Sequence, residues 1–233
     1  MLVAIHQPNF FPWLGYFNKI LRVDLFVIMD DVAYPKSGNS MGSYTNRVKL
    51  LIQNQPNWIS CPVMREHGIQ IIKNIQINKS LDWPGKVIKI IEQNYKKAPY
   101  FEEIWSWLQA MLERDTTQLS QLNTANIIEI CNKLAIQKPL VIQSELTTKE
   151  SSTDLLIEII RKVGGTAYLC GEGAAKYQED NKFESAGITL VRQNYKHPQY
   201  DQKGVPEFVP GLSIIDALMH CGFEGTRELL NTR

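Results

Sequence analysis

The chain carries no glycine-rich dinucleotide fingerprint and no P-loop, and neither HExxH nor GxSxG occurs in it. Those gaps exclude the best-known phosphate cradles, zinc-protease helices and serine-hydrolase elbows. No apolar run is long enough to span a bilayer, so membrane insertion is not expected. No basic segment followed by an apolar one precedes the first strand, so no secretory leader is expected. An excess of one charge is missing too. The 25 Lys and Arg against 24 Asp and Glu leave a net charge of +1. That balance gives no general electrostatic pull toward nucleic acid or an anionic membrane. Cysteine is sparse, and Cys61, Cys131, Cys170 and Cys221 stand far apart without metal-ligand spacing. They read as small buried hydrophobes of a reducing compartment, which points to the cytoplasm. Internal repeats and low-complexity stretches are also absent.

The richest stretch is IHQPNFFPWLGYFNK, residues 5–19. Leu2–Ile5 is a short β-prone apolar run. Pro8 and Pro12 forbid regular structure between them. A helix is expected from Pro12, where a missing N–H is harmless. His6 and Gln7 then sit at a strand end and Gly15 in a first helical turn, whose free N–H groups attract anions. Leu25–Asp31, LFVIMDD, is a second apolar run of the kind that suits a strand buried on both faces. Strand, helix and strand over about thirty residues make a βαβ unit.

Farther on, the Pro/Gly/Ser/Asn cluster at residues 35–43 reads as a mobile loop. Tyr44–Leu51 and Asn57–Val63 read as short strands joined by a turn at Gln53–Asn57. Phe101, Ile104, Trp105, Leu108 and Leu112 recur at helical spacing. Leu119–Leu134 gives another helix, with Asn123–Asn126 as an alternative cap. Strands are expected at Leu140–Gln143, Ala167–Cys170 and Ile188–Arg192. Helices are expected around Leu155–Ile160 and Ser213–His220. The alternation predicts one α/β domain over residues 1–233, with an open, mainly parallel Rossmann-like sheet and a helical insertion at 83–135.

Four groups of residues could carry chemistry. If the first two strands are parallel neighbours, His6 reaches Asp30 or Asp31 at the carboxyl edge of the sheet, where open α/β sheets bind ligands. A His held by a carboxylate is a general base, and the carboxylates could equally hold Mg²⁺ or a substrate amine. Lys19, Lys36, Asn46 and Arg47 form a second group suited to phosphate or carboxylate. Gly171 and Gly173 flank a strand–helix junction that could cradle an anion. The run QNYKHPQYDQ, residues 193–202, offers His197, Tyr200 and Gln202 for sugar or base recognition. Trp13 is either a site wall or core.

HQPNFFPWLGYFNKI, DLFVIMDDVAYPK, TNRVK, YLCGEGAAKY, YKHPQYDQ and PGLSIID together resemble the WbqC-like family, in order and over nearly the whole chain. The resemblance implies transfer of an acyl or aminoacyl group, often glycyl, to the amine of an amino sugar in bacterial surface-polysaccharide synthesis. It draws Gln7, Asn9, Tyr16 and Tyr177 into the candidate substrate-binding set. The first segment is also similar to the opening of the nucleotidyltransferase and class I synthetase superfamily, although Tyr16 stands where that pattern has His. Under that likeness ATP and Mg²⁺ are candidate cofactors. The expected partners are a nucleotide-linked or lipid-linked amino sugar and an activated acyl donor. Two other readings stand beside it: an ATP-dependent enzyme that adenylylates a small acid, and a non-catalytic nucleotide-sugar-binding protein.

Overall fold

The computed structural model describes residues 1–35, 43–171 and 178–231. Five parallel strands form the central sheet: β1 (Leu2–His6), β2 (Leu25–Ile28), β5 (Leu140–Ile142), β6 (Ala167–Cys170) and β7 (Thr189–Arg192). Their order is β5-β2-β1-β6-β7. A separate antiparallel hairpin joins β3 (Arg47–Ile52) to β4 (Gln55–Ser60). The architecture is an open Rossmann-like α/β sheet, as the alternation of elements predicted.

Strand period explains the layers. Ala4, Phe26, Ile28 and Leu169 face one hydrophobic cluster. It also holds α1 (Leu14–Leu21), α2 (Trp83–Tyr95), α3 (Phe101–Leu112), α4 (Leu119–Lys133) and α7 (Ile214–Asn231). Val3, Ile5, Val27, Tyr168 and Cys170 face the other cluster, with α5 (Ser152–Lys162) and α6 (Asp180–Ser185). The residues 83–135 expected as a helical insertion thus supply α2, α3 and α4, which share a core with one face of the sheet.

Local chemistry moves several boundaries. Helix α1 begins at Leu14 rather than Pro12, because Trp13 is extended and bridges to Ser213, just before α7. The Ile214 amide donates to the Pro12 carbonyl at 2.8 Å. The hairpin turn is tighter than expected. Gln53 and Asn54 both take positive φ (53° and 61°), the geometry of a two-residue turn matched to strand twist. Pro56 is tolerated because β4 is an exposed edge strand. Helix α4 runs straight through Asn123–Asn126, which are not a cap. The Asn123 amide nitrogen instead donates to the carbonyls of Pro8 and Thr45, at 2.8 and 2.7 Å. That pins the β1–α1 loop to the start of the hairpin. Within α7, Gly222 (φ 67°) breaks the helical path, and a Cβ there would stand 2.6 Å from the Tyr100 ring.

Candidate functional site

The chain runs from β1 outward through β2 toward β5, then returns to the other side of β1 with β6 and β7. The order therefore reverses between β1 and β6. Pairing between these two strands covers only Leu2–Val3 against Ala167–Tyr168, whereas β1 stays paired with β2 through His6. Beyond Val3 the β1–β6 ladder ends. A cavity of about 470 Å³ lies there, lined by Ile5, His6 and Tyr168 of the central strands and by Gln7 and Gly171 just past their ends. Met29 beyond β2 joins them, with Trp13, Gly15, Tyr16 and Lys19 of the α1 region. Gln193, Tyr195 and His197 beyond β7 complete the lining. This is the crevice in which open α/β sheets hold ligands.

Its walls are aromatic. The His6 ring meets Tyr16 edge-on at 4.8 Å between centroids and Trp13 at 5.9 Å. Tyr195 and His197 pair edge-on at 5.0 Å. Gly15 is glycine because of close packing: a Cβ would stand 2.7 Å from the Trp13 indole nitrogen and 2.8 Å from the Tyr195 ring. The Gln193 amide nitrogen donates to the Gly15 carbonyl at 2.7 Å and to Asn18 Oδ1 at 3.2 Å, tying the end of β7 to α1. Arg22 donates to the Gln193 carbonyl at 2.5 Å.

His6 Nδ1 lies 3.1 Å from the Gln7 carbonyl oxygen. A carbonyl only accepts, so the neutral imidazole carries its proton on Nδ1 and leaves the Nε2 lone pair as the basic site. Burial, reinforced by the Lys19 charge, pulls the imidazole down to about 3, against a smaller upward pull from the Gln7 carbonyl. His6 is therefore neutral at physiological pH. Burial also lowers the Lys19 ammonium to about 8. The hydroxyls of Tyr16 and Tyr195 are pushed up by burial, and His197 is pulled down by it.

The carboxylates expected to orient His6 do something else. Register pairs His6 with Ile28, short of Asp30. Asp30 accepts from the Ser144 amide at 3.0 Å and the Ser144 hydroxyl at 2.8 Å, on the β5 side of β2. Asp31 pairs with Lys73 at 2.8 Å. Neither carboxylate is directed at His6, and with these partners the two do not fit as a Mg²⁺ site.

The family model matches residues 7–228. The chain belongs to the WbqC-like protein family. Rv1507c of Mycobacterium tuberculosis, described as an uncharacterized protein, is similar to it: 31% identical over 224 residues, 95% of this chain and 94% of its own. No solved structure matches the chain.

Of the residues singled out in this WbqC-like chain, His6, Gln7, Trp13, Gly15, Tyr16, Lys19, Gly171 and His197 meet in the one cavity. Others lie outside that lining. Asn9 is buried away from it. Asn46 Oδ1 accepts from the Tyr34 hydroxyl and the Ser43 amide, and its Nδ2 donates to the Cys61 carbonyl. Arg47 stacks over Trp58 on the hairpin, 4.3 Å from the ring centroid. Tyr200 and Gln202 donate to the buried Asp216 carboxylate, at 2.7 and 2.9 Å, and Tyr95 joins them at 2.8 Å. Lys36, Gly173 and Tyr177 lie outside the described residues. Sequence reasoning missed Ile5, Met29 and Tyr168 as lining residues, and it named the run 193–202 without singling out Gln193 and Tyr195. The rule that found His6 and Gln7, looking just past the carboxyl end of a parallel strand, also finds Gln193 and Tyr195 when applied to β7.

Proposed function

We propose that this WbqC-like chain is a transferase that forms an amide on an amino sugar in bacterial surface-polysaccharide synthesis. One observation carries the reading: a neutral imidazole with a bare Nε2, in an aromatic-walled cavity at the sheet's reversal point. Flat aromatic faces suit a sugar or nucleobase ring. The amine nitrogen attacks the acyl carbonyl carbon, the new C–N bond forms, and the bond to the leaving group breaks. The attacking nitrogen becomes strongly acidic as it bonds. His6 Nε2 takes its proton and returns it to the leaving group. Glycyl is the first acyl group to test, and an adenylate, a thioester and an aminoacyl-tRNA are the donors. A cytoplasmic location accords with such activated donors. Among the described residues no helix is long and apolar enough to cross a membrane.

The test is mass-spectrometric detection of acyl transfer to a nucleotide-linked amino sugar. His6→Gln should abolish turnover and keep acceptor binding. Undiminished turnover in His6→Gln, or no acceptor binding by the wild type, would refute the reading. The same crevice is where such sheets hold nucleotides, so adenylylation of a small acid is the second reading. Release of pyrophosphate from ATP without amide formation would select it.

A further inference from the structure

Lys19 stands on α1 with 5% of its surface exposed. Among the described residues its ammonium has neither a hydrogen-bond acceptor nor a carboxylate partner, and no carboxylate lines the cavity. Among the described residues, the titratable groups around it are His6 from β1, Tyr16 from its own helix, Tyr168 and Cys170 from β6, and Tyr195 and His197 beyond β7. None of them is an acid ionised at neutral pH by its ordinary chemistry. A buried ammonium with no counter-charge among the described residues costs the fold free energy. A scaffold role for this position is served better by Met or Leu. The ammonium is also reachable. Its Nζ is 3.4 Å from where a Cβ would stand on Gly171, which itself lines the cavity.

We propose that Lys19 is the anion receptor of this cavity: it pairs with a carboxylate or phosphate of the ligand, and that pairing readies His6 to accept a proton. The inference rests on the reading of the crevice as the substrate site. The Lys19 charge is one of the two causes that hold His6 in its neutral form. An anion seated on the ammonium cancels that repulsion and adds its own attraction for an imidazolium. The imidazole is a poor base in the empty cavity and a better one when the charged ligand is in place. Proton uptake is thereby tied to substrate occupancy.

The test uses the full chain with isotope-labelled histidine. The His6 signal, assigned with His6→Asn, is followed against pH by NMR, alone and with inorganic phosphate or acetate. Phosphate or acetate should raise the His6 midpoint by about one unit, and whichever anion acts identifies phosphate or carboxylate as the ligand group. Lys19→Met should raise the midpoint with no anion added and weaken anion binding by about tenfold or more. Lys19→Arg should keep much of that binding. A wild-type His6 midpoint that neither anion moves would overturn the proposal, and so would equal anion binding by Lys19→Met. Neither readout involves acyl transfer. Failure here with active transfer removes only the receptor role, and success here with no transfer removes only the amide-forming reading.

Discussion

The side-chain amide of Gln193 donates to the carbonyl of Gly15 at 2.7 Å, across 178 residues of sequence. This bond joins the two halves of the sheet at the mouth of the cavity, because Gln193 follows β7 and Gly15 opens α1. Replacing Gln193 by Leu removes the donor to the Gly15 carbonyl and to the Asn18 side-chain oxygen. We expect a loss of about 1–3 kcal/mol in denaturant unfolding, with weaker ligand binding from a loosened wall.

Gly15→Ala adds a methyl group where Trp13 and Tyr195 already close in. Its expected cost is about 1–3 kcal/mol, since the rings rather than the helix must move. Ligand affinity should fall along with stability, which calorimetry on the same sample would show. A variant that binds as the wild type would mean that Tyr195 is not held as a wall.

Lys19 gives the fold a pH dependence of definite sign. Its folded value is about 8 against an ordinary 10.5, so between those limits the unfolded chain binds more protons. Stability should rise with pH across that window, and the full penalty is present below it. Lys19→Met should therefore stabilise the protein at neutral pH by about 1–3 kcal/mol. It should also flatten the alkaline rise in a Tm–pH series.

His6 acts in the acid range. Its folded value of about 3 lies below the ordinary 6.5, so the unfolded chain takes up a proton that the folded chain refuses. Stability should fall as pH drops from 6.5 toward 3. Urea midpoints for His6→Gln should show a shallower acid decline than those of the wild type.

Tyr200 and Gln202 belong to the scaffold. Tyr200→Phe removes one donor from the buried Asp216 and should cost about 1 kcal/mol while leaving ligand affinity unchanged. Asp216→Ala strands Tyr95, Tyr200 and Gln202 together and should cost on the order of 3 kcal/mol.

The legible parts of this chain are the local ones. Strand β1, strand β2 and the polar residues after them follow from hydrophobic runs and prolines, so His6, Gln7 and Lys19 could be found from sequence. Register could not. A shift of two positions separates a His6–Asp30 contact from the observed Asp30–Ser144 pair, and the partner that decides it lies 114 residues away. Tyr200 and Gln202 were misread for the same reason. Their polar groups suit a ligand equally well until Asp216, buried in the next helix, claims them. The Arg47 fork suits phosphate or carboxylate by its chemistry, whereas the strand pairing that sets Trp58 beside it decides where its guanidinium lies.

Four histidines make the location of the site directly measurable. His6 and His197 line the cavity, whereas His67 and His220 do not. A histidine-selective NMR spectrum should be recorded as a nucleotide-linked amino sugar is added. If the crevice between β1 and β6 is the substrate site, the His6 and His197 signals move together and those of His67 and His220 stay in place. Unmoved His6 and His197 signals under saturating ligand, or a response confined to His67 or His220, would contradict it.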